Sequence, residues 1–237
     1  MSLASPLELI VASWNIHKGV GTDRKRDLHR TATVISELGA DIVALQEADT
    51  RFGTRTGLLD LERLHRNTGL APVPIPNGGP AHGWHGNVVL ARDAELQDLR
   101  GIDLPGLEPR GALLVDLSIL GRPLRVVAAH LGLLRSSRRA QAETLLREMT
   151  ALDDRPTLLM GDLNEWREGW RSPFERLSTH LPQQPVVRSF PARMPALALD
   201  RIMACNRGEL TDLVAHDTAL ARRASDHLPI RARLLLP

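Results

Sequence analysis

The chain has 237 residues, 43% of them apolar, and 30 Lys and Arg against 28 Asp and Glu give it a net charge of +2. That length and composition suit one large domain with a sizeable core, and the charge balance permits contact with phosphates without marking a nucleic-acid binder. A single cysteine, Cys205, excludes an internal disulfide and a thiolate zinc cluster, while 3% aromatics and no tyrosine remove the usual stacking platforms for single strands.

The opening MSLASPLELIVASWN has no basic stretch ahead of its apolar run, so a secretory signal is not expected and a cytoplasmic location is. The apolar runs are far shorter than the roughly 20 residues of a membrane span. LELIVASW reads as a strand that gives way to Asn15. The basic run DRKRDLHR reads as a solvated helix start. In DLHRTATVISELGA, Leu28, Thr31, Val34, Ile35 and Leu38 share one face, and Gly39 stands where a C-cap belongs. DIVALQ is the next strand and runs into Glu47. PNGGPAHGWHGN follows as a Gly/Pro-rich loop carrying His82, Trp84, His85 and Asn87, ahead of the strand GNVVLA. His82 and His85 have HxxH spacing, a weak zinc signal in a glycine loop.

GALLVDLSIL and LRVVAAHL are separated by GRP alone, which demands a hairpin, so the sheet is at least partly antiparallel. LRVVAA ends at His130. The basic run LLRSSRRAQ, read as a solvated helix face, opens SSRRAQAETLLREMTAL, whose stripe is Ala142, Leu145, Leu146 and Met149. PTLLMG is a strand that ends in Asp162 and Asn164. SPFERLSTHL begins with Ser172, Pro173 and Glu175, a capping-box helix start. ALALDRIMA and the terminal LPIRARLLL complete the strands. Many short strands with a few helices outside imply packed sheets covered by helices, an α/β layered architecture.

Strand ends are where scaffolds place functional groups, and here they carry Asn15, Glu47, His130, Asp162 and Asn164. Carboxylates and amide oxygens are hard donors suited to Mg²⁺ or Mn²⁺ rather than zinc. Glu47 after an unbroken apolar run needs a partner or an ion. Asn15 also suits a turn cap, and GDLN an Asx turn. Asp200 interrupts an apolar strand and needs a partner. His227 is the natural one, since a carboxylate on one ring nitrogen fixes the tautomer and leaves the other for chemistry. Asp226, on the opposite side of the strand entry from His227, is then free to reach a metal. A triad of Ser225, Asp226 and His227 is unsuitable, because three consecutive side chains do not converge in an extended segment.

The set WN, QE, H, GDLN, LDRI and SDH, in this order, resembles the endonuclease/exonuclease/phosphatase superfamily of metal-dependent phosphoesterases, and the resemblance runs from Trp14 to Pro229. It implies a four-layer α/β/β/α sandwich, two mixed sheets face to face with helices outside. It also implies metal-side residues Asn15, Glu47 and Asp226, and a catalytic His227 oriented by Asp200. Asp162 and Asn164 look like the pair that positions water and phosphate, and His130 and Arg110 like phosphate contacts. The implied reaction is in-line attack of water on a phosphodiester with Mg²⁺, or Mn²⁺, as cofactor. Its substrate would be a nucleic acid, a phospholipid or a small phosphoester. The tyrosine of the AP endonuclease branch is missing, which speaks against AP-site cleavage. Trp84 and Asn87 are expected at the substrate rim.

Overall fold

A computed structural model describes residues 5–50, 55–75, 80–169 and 172–237. In chain order its elements are β1 (Leu7–Asn15), α1 (Leu28–Glu37), β2 (Ile42–Gln46), α2 (Leu61–Thr68), β3 (Ala71–Pro72), β4 (Val88–Ala91), β5 (Ala94–Leu104), β6 (Arg110–Ile119) and β7 (Arg122–His130). There follow α3 (Arg135–Thr150), β8 (Thr157–Asp162), β9 (Asp200–Ala204), β10 (Glu209–Ala215), α4 (Ala219–Ala224) and β11 (Ile230–Leu236). The strands form a six-stranded sheet, β10-β11-β1-β2-β4-β3, and a five-stranded sheet, β5-β6-β7-β8-β9.

Alternation along the strands builds the layers. Val11, Leu113, Val126, Leu158 and Ile202 point into the space between the two sheets. Their neighbours point outward. Ala12, Val43 and Leu45 meet Val34, Ile35 and Leu38 of the α1 region, Leu64 of α2 and Ala221 of α4. Leu114, Val127, Leu159 and Met203 meet Ala142, Leu145 and Met149 of α3. Three apolar cores thus separate four layers, the sandwich expected from the sequence.

Among the described residues two pairs of neighbouring strands run parallel, β1 with β2 and β7 with β8. In each case both members end at the same edge. The β6–β7 hairpin closes through Leu120 and Gly121, both at positive φ, the type I′ geometry that matches strand twist. The hairpin and both long helices match the sequence pattern, whereas α2 and α4, eight and six residues long, were too short to stand out from it. The capping-box segment forms a 3₁₀ helix at Glu175–Thr179 instead of an α-helix starting at Ser172. The two basic runs are not simply solvated faces either. Arg30 is buried against Asp23 at 2.8 Å, and Arg138 against Glu165 at 3.0 Å.

Arg125 is the most deeply buried arginine among the described residues, held by Asp116 at 2.7 and 2.8 Å and by Asp153 at 2.8 Å. Breaking a buried ion pair from one side costs about 3–5 kcal/mol where the other charge loses its close partner, and Asp116 would keep only the longer contact to Arg155 at 3.4 Å among the described residues. Arg125→Ala is therefore expected to lower the thermal midpoint by roughly 10 °C. Unfolding followed by circular dichroism checks this, and an unchanged midpoint would refute the assigned role.

Candidate active site

The edge at which β1, β2, β7 and β8 end gathers the polar residues. Asp162, the last residue of β8, pairs in register with Asp200, the first of the antiparallel β9. Asn15 at the end of β1 crosses between the sheets, its Nδ2 donating to Asp162 Oδ2 at 3.0 Å. The loop before β11 is tied to the same strand end. Trp14 Nε1 donates to the His227 carbonyl at 2.9 Å, and Ser225 Oγ to the Asn15 carbonyl at 2.7 Å. Ser225 therefore works as a cross-link, not a nucleophile.

Those ties place His227 Nδ1 2.9 Å from Asp200 Oδ2, the pairing read from the sequence. Ser189 Oγ donates to the same oxygen and fixes the carboxylate. The other ring nitrogen, Nε2, lies 3.7 Å from Asp162 Oδ2, and His130 Nε2 lies 3.4 Å from it. Asp162 is thus the hub. Its Oδ1 accepts from Asn164 N–H at 3.1 Å, so GDLN is an Asx turn and also part of the site. Asn164 Nδ2 donates to the Leu131 carbonyl at 2.9 Å, joining the loops after β7 and β8.

Burial opposes charge on His227, Asp162 and Glu47, and their neighbours decide the outcome. Burial pulls the His227 imidazolium down, but Asp200 and Asp162 outweigh it and raise its pKa to about 10. Burial pushes Asp162 up to about 6, with His227 opposing the rise. Glu47 is also disfavoured by burial, yet the Lys18 ammonium bonded to it, with charge from His130 and His17, holds it at about 2. The surroundings therefore favour the charged forms of Glu47 and His227, and the Asp162 carboxylate is approached by two imidazoles.

The endonuclease/exonuclease/phosphatase family profile matches residues 12–227. The chain belongs to that family. Its members are phosphoesterase hydrolases, which gives the activity class at that level. An Escherichia coli protein named "Uncharacterized protein YbhP" is 30% identical over 255 residues, covering 95% of this chain and 96% of its own. A family structure from Beutenbergia cavernae matches with TM-score 0.69 at 23% identity, over 97% of this chain and 72% of that one. A Bacteroides thetaiotaomicron mannosyl-6-phosphatase matches with TM-score 0.70 at 16% identity, over 95% and 99%.

Within this family member the residues singled out from sequence fall into two groups. Asn15, Asp162, Asn164, Asp200, His130 and His227 form one hydrogen-bonded or closely packed network. Arg110 joins it, with Nη1 2.9 Å from the His130 ring nitrogens and its other nitrogens on Glu108 Oε2. The expected metal side is less closed. Asn15 Oδ1 accepts from His17 N–H at 3.0 Å, and Asp226 lies 3.6 Å from His17 Nδ1. Asp226 and His227 stand in a bend, not a strand entry, so the bend rather than the pleat sends their side chains apart.

Two expected rim residues are placed differently. Trp84 packs its ring over the backbone at Gly101 and Gly111, where any Cβ would collide with it. Asn87 is buried, and its Nδ2 donates to the carbonyls of Trp84 and Gly111 at 3.0 and 2.9 Å. Both pin the 80–87 loop onto the second sheet, because an amide buried there is best satisfied by backbone carbonyls. His82 bonds the Leu59 carbonyl and His85 bonds Asp103, so each ring of the HxxH pair is engaged with a different partner. Residues 76–79 at the head of this loop lie outside the described residues.

His17, Lys18 and Ser189 escaped sequence reading. For His17 and Lys18 a signal existed, two cationic or titratable residues directly after a strand-terminal Asn15. Both sit at positive φ, as do Glu47 and Asn164, a concentration of unfavourable backbone typical of functional sites.

The donor types of Asn15, Glu47 and Asp226 suit a hard divalent cation. All three offer oxygen, and Glu47 is held ionised without a proton to displace. Among the described residues, Asp162, Asp200 and His227 are also close enough to share an ion. That cluster fits less well. His227 Nδ1 is committed to Asp200, and Asp162 Oδ2 already accepts from Asn15 Nδ2.

Proposed function

We propose that this protein is a divalent-metal-dependent phosphodiester hydrolase, with Asn15, Glu47 and Asp226 holding Mg²⁺ and with Mn²⁺ as a substitute. The observation that supports this reading is the Asn15–Asp162 hydrogen bond, which joins one expected metal residue to the Asp162, Asp200 and His227 network. A bound Mg²⁺ would neutralise charge on the phosphoryl and leaving oxygens. The remaining work belongs to the chain. Asp162, with His130 and His227 on either side, orients the attacking water and accepts its proton. Asp200, fixed by Ser189, holds the His227 ring so that Nε2–H meets a phosphoryl oxygen. Arg110 and His130 meet the other oxygens, with Asn164 holding the loop between them.

The mannosyl-6-phosphatase neighbour, similar in fold, keeps phosphomonoesters in view, and duplex or single-stranded nucleic acid is the other alternative. A screen of bis-p-nitrophenyl phosphate, plasmid DNA, sugar phosphates and glycerophospholipids with Mg²⁺ or Mn²⁺ tests the reading, with Asp162→Ala as the blank. Metal-dependent turnover of a diester, absent from the blank, is the expected result. No metal-dependent turnover on any substrate would overturn it.

A further inference from the structure

Nine large hydrophobic side chains are exposed among the described residues, and four of them meet on one rim. Leu107 is 86% exposed in the turn between β5 and β6, Leu133 and Leu134 are 65% and 49% exposed between β7 and α3, and Trp166 is 45% exposed beyond β8. Scattered singly, such residues need no explanation. These are not scattered.

Hydrogen bonds hold the three loops together. Leu133 N–H donates to Glu108 Oε1 at 2.8 Å, beside Leu107. Gln141 accepts from Gly132 N–H and donates to the Pro105 carbonyl, both at 2.9 Å. Arg138 donates to the carbonyls of Gly132 and Leu133 and, at 3.0 Å, to Glu165, next to Trp166. The exposed tips are therefore carried on loops that hydrogen bonds tie to one another. The loops also open from the catalytic edge, where β6 starts at Arg110, β7 ends at His130 and β8 ends at Asp162.

Charge surrounds the apolar tips. Arg135 and Arg139 are exposed at the start of α3, and the Arg167 guanidinium lies 4.6 Å over the Trp166 ring. Of the nearby carboxylates, Glu108 is engaged by Arg110, Glu165 by Arg138 and Arg167, and Glu143 by Arg139 at 3.6 Å on the exposed face of α3, while Glu168 is exposed. Aliphatic tips with an indole and a collar of guanidinium groups match an anionic phospholipid surface, in which leucines enter the acyl boundary and arginines remain among headgroup phosphates. A nucleic acid would gain little from three leucines, since its bases stack on aromatic faces and the rim offers one.

We propose that this rim docks the protein on anionic phospholipid bilayers with the catalytic edge facing the headgroups. The proposal rests on the phosphoesterase reading and narrows its substrate to phosphoesters at a lipid surface. The full chain is to be sedimented with vesicles of phosphatidylcholine alone and of phosphatidylcholine mixed with phosphatidylglycerol, over a range of salt. Wild type is expected to pellet with the mixed vesicles, less so at high salt. Leu133→Ser combined with Trp166→Ser should weaken that binding about tenfold or more. Arg135→Ser and Arg139→Ser should each weaken it about fivefold, on mixed vesicles only. Absence of wild-type binding, or equal binding by variants whose circular dichroism is unchanged, would overturn the proposal. So would a labelled single-stranded oligonucleotide, or a second copy of the chain, proving to be what the same variants lose. Sedimentation needs no turnover, so vesicle binding by a protein inactive on bis-p-nitrophenyl phosphate would separate a failed catalytic reading from a failed docking surface.

Discussion

His227→Ala is expected to lower turnover of a simple phosphodiester by on the order of 1,000-fold, the range for removing a group that moves a proton or holds charge in the transition state. The substitution also removes the main partner of Asp200, which is fully buried and retains only the Ser189 hydroxyl among its side-chain contacts. An uncompensated buried carboxylate can destabilise the fold, so His227→Gln, which retains an amide donor, is the control for stability. If Asp200 acts only through His227, Asp200→Asn will be severe alone and nearly silent in the His227→Gln background. Steady-state kinetics on all three, with circular dichroism to establish folding, reads this cycle. Additive losses would show that Asp200 has a separate task, and full activity in a folded His227→Gln would remove His227 from the mechanism.

Much of this site was legible because its residues break local rules. A carboxylate in ALALDRIMA, or at the end of DIVALQ, is too costly to leave without a partner, and both Asp200 and Glu47 have one. The layered fold was legible for a related reason. Strand alternation and a short hairpin joint are local signals, and both recur in the structure, although the turn tightens to Leu120 and Gly121 while Arg122 and Pro123 join β7. What sequence could not supply was direction. Trp84 and Asn87 look like rim residues because they sit in a Gly/Pro-rich loop, yet that loop folds back on β5 and β6 and uses both as anchors. Asp226 and His227 were separated by strand geometry on paper, whereas a bend separates them in the molecule. Ser189 carries no signal at all. Its role exists only because the chain returns beside β9, eleven residues ahead of Asp200, a tertiary event that no local pattern encodes.

Glu47→Gln bears on the metal side, and its effect should be read first from ion binding. The substitution keeps the shape of the side chain and removes the charge, so Mn²⁺ affinity, followed by electron paramagnetic resonance of the free ion, is expected to fall on the order of 100-fold. Diesterase activity should fall with it, and chelation of wild type should abolish turnover reversibly. Lys18 supplies a test of opposite sign. Its ammonium already neutralises Glu47, so an incoming cation must compete with it for the same carboxylate. Lys18→Met removes that competitor, and unit charges a few ångströms apart near a protein surface interact strongly enough for roughly tenfold tighter Mn²⁺ binding to follow. Glu47→Gln and Lys18→Met should therefore move ion affinity in opposite directions. If both weaken Mn²⁺ equally, Lys18 is positioning the loop rather than opposing the ion. If neither moves it, the ion does not bind at Glu47, and the Asp162, Asp200 and His227 cluster becomes the site to test.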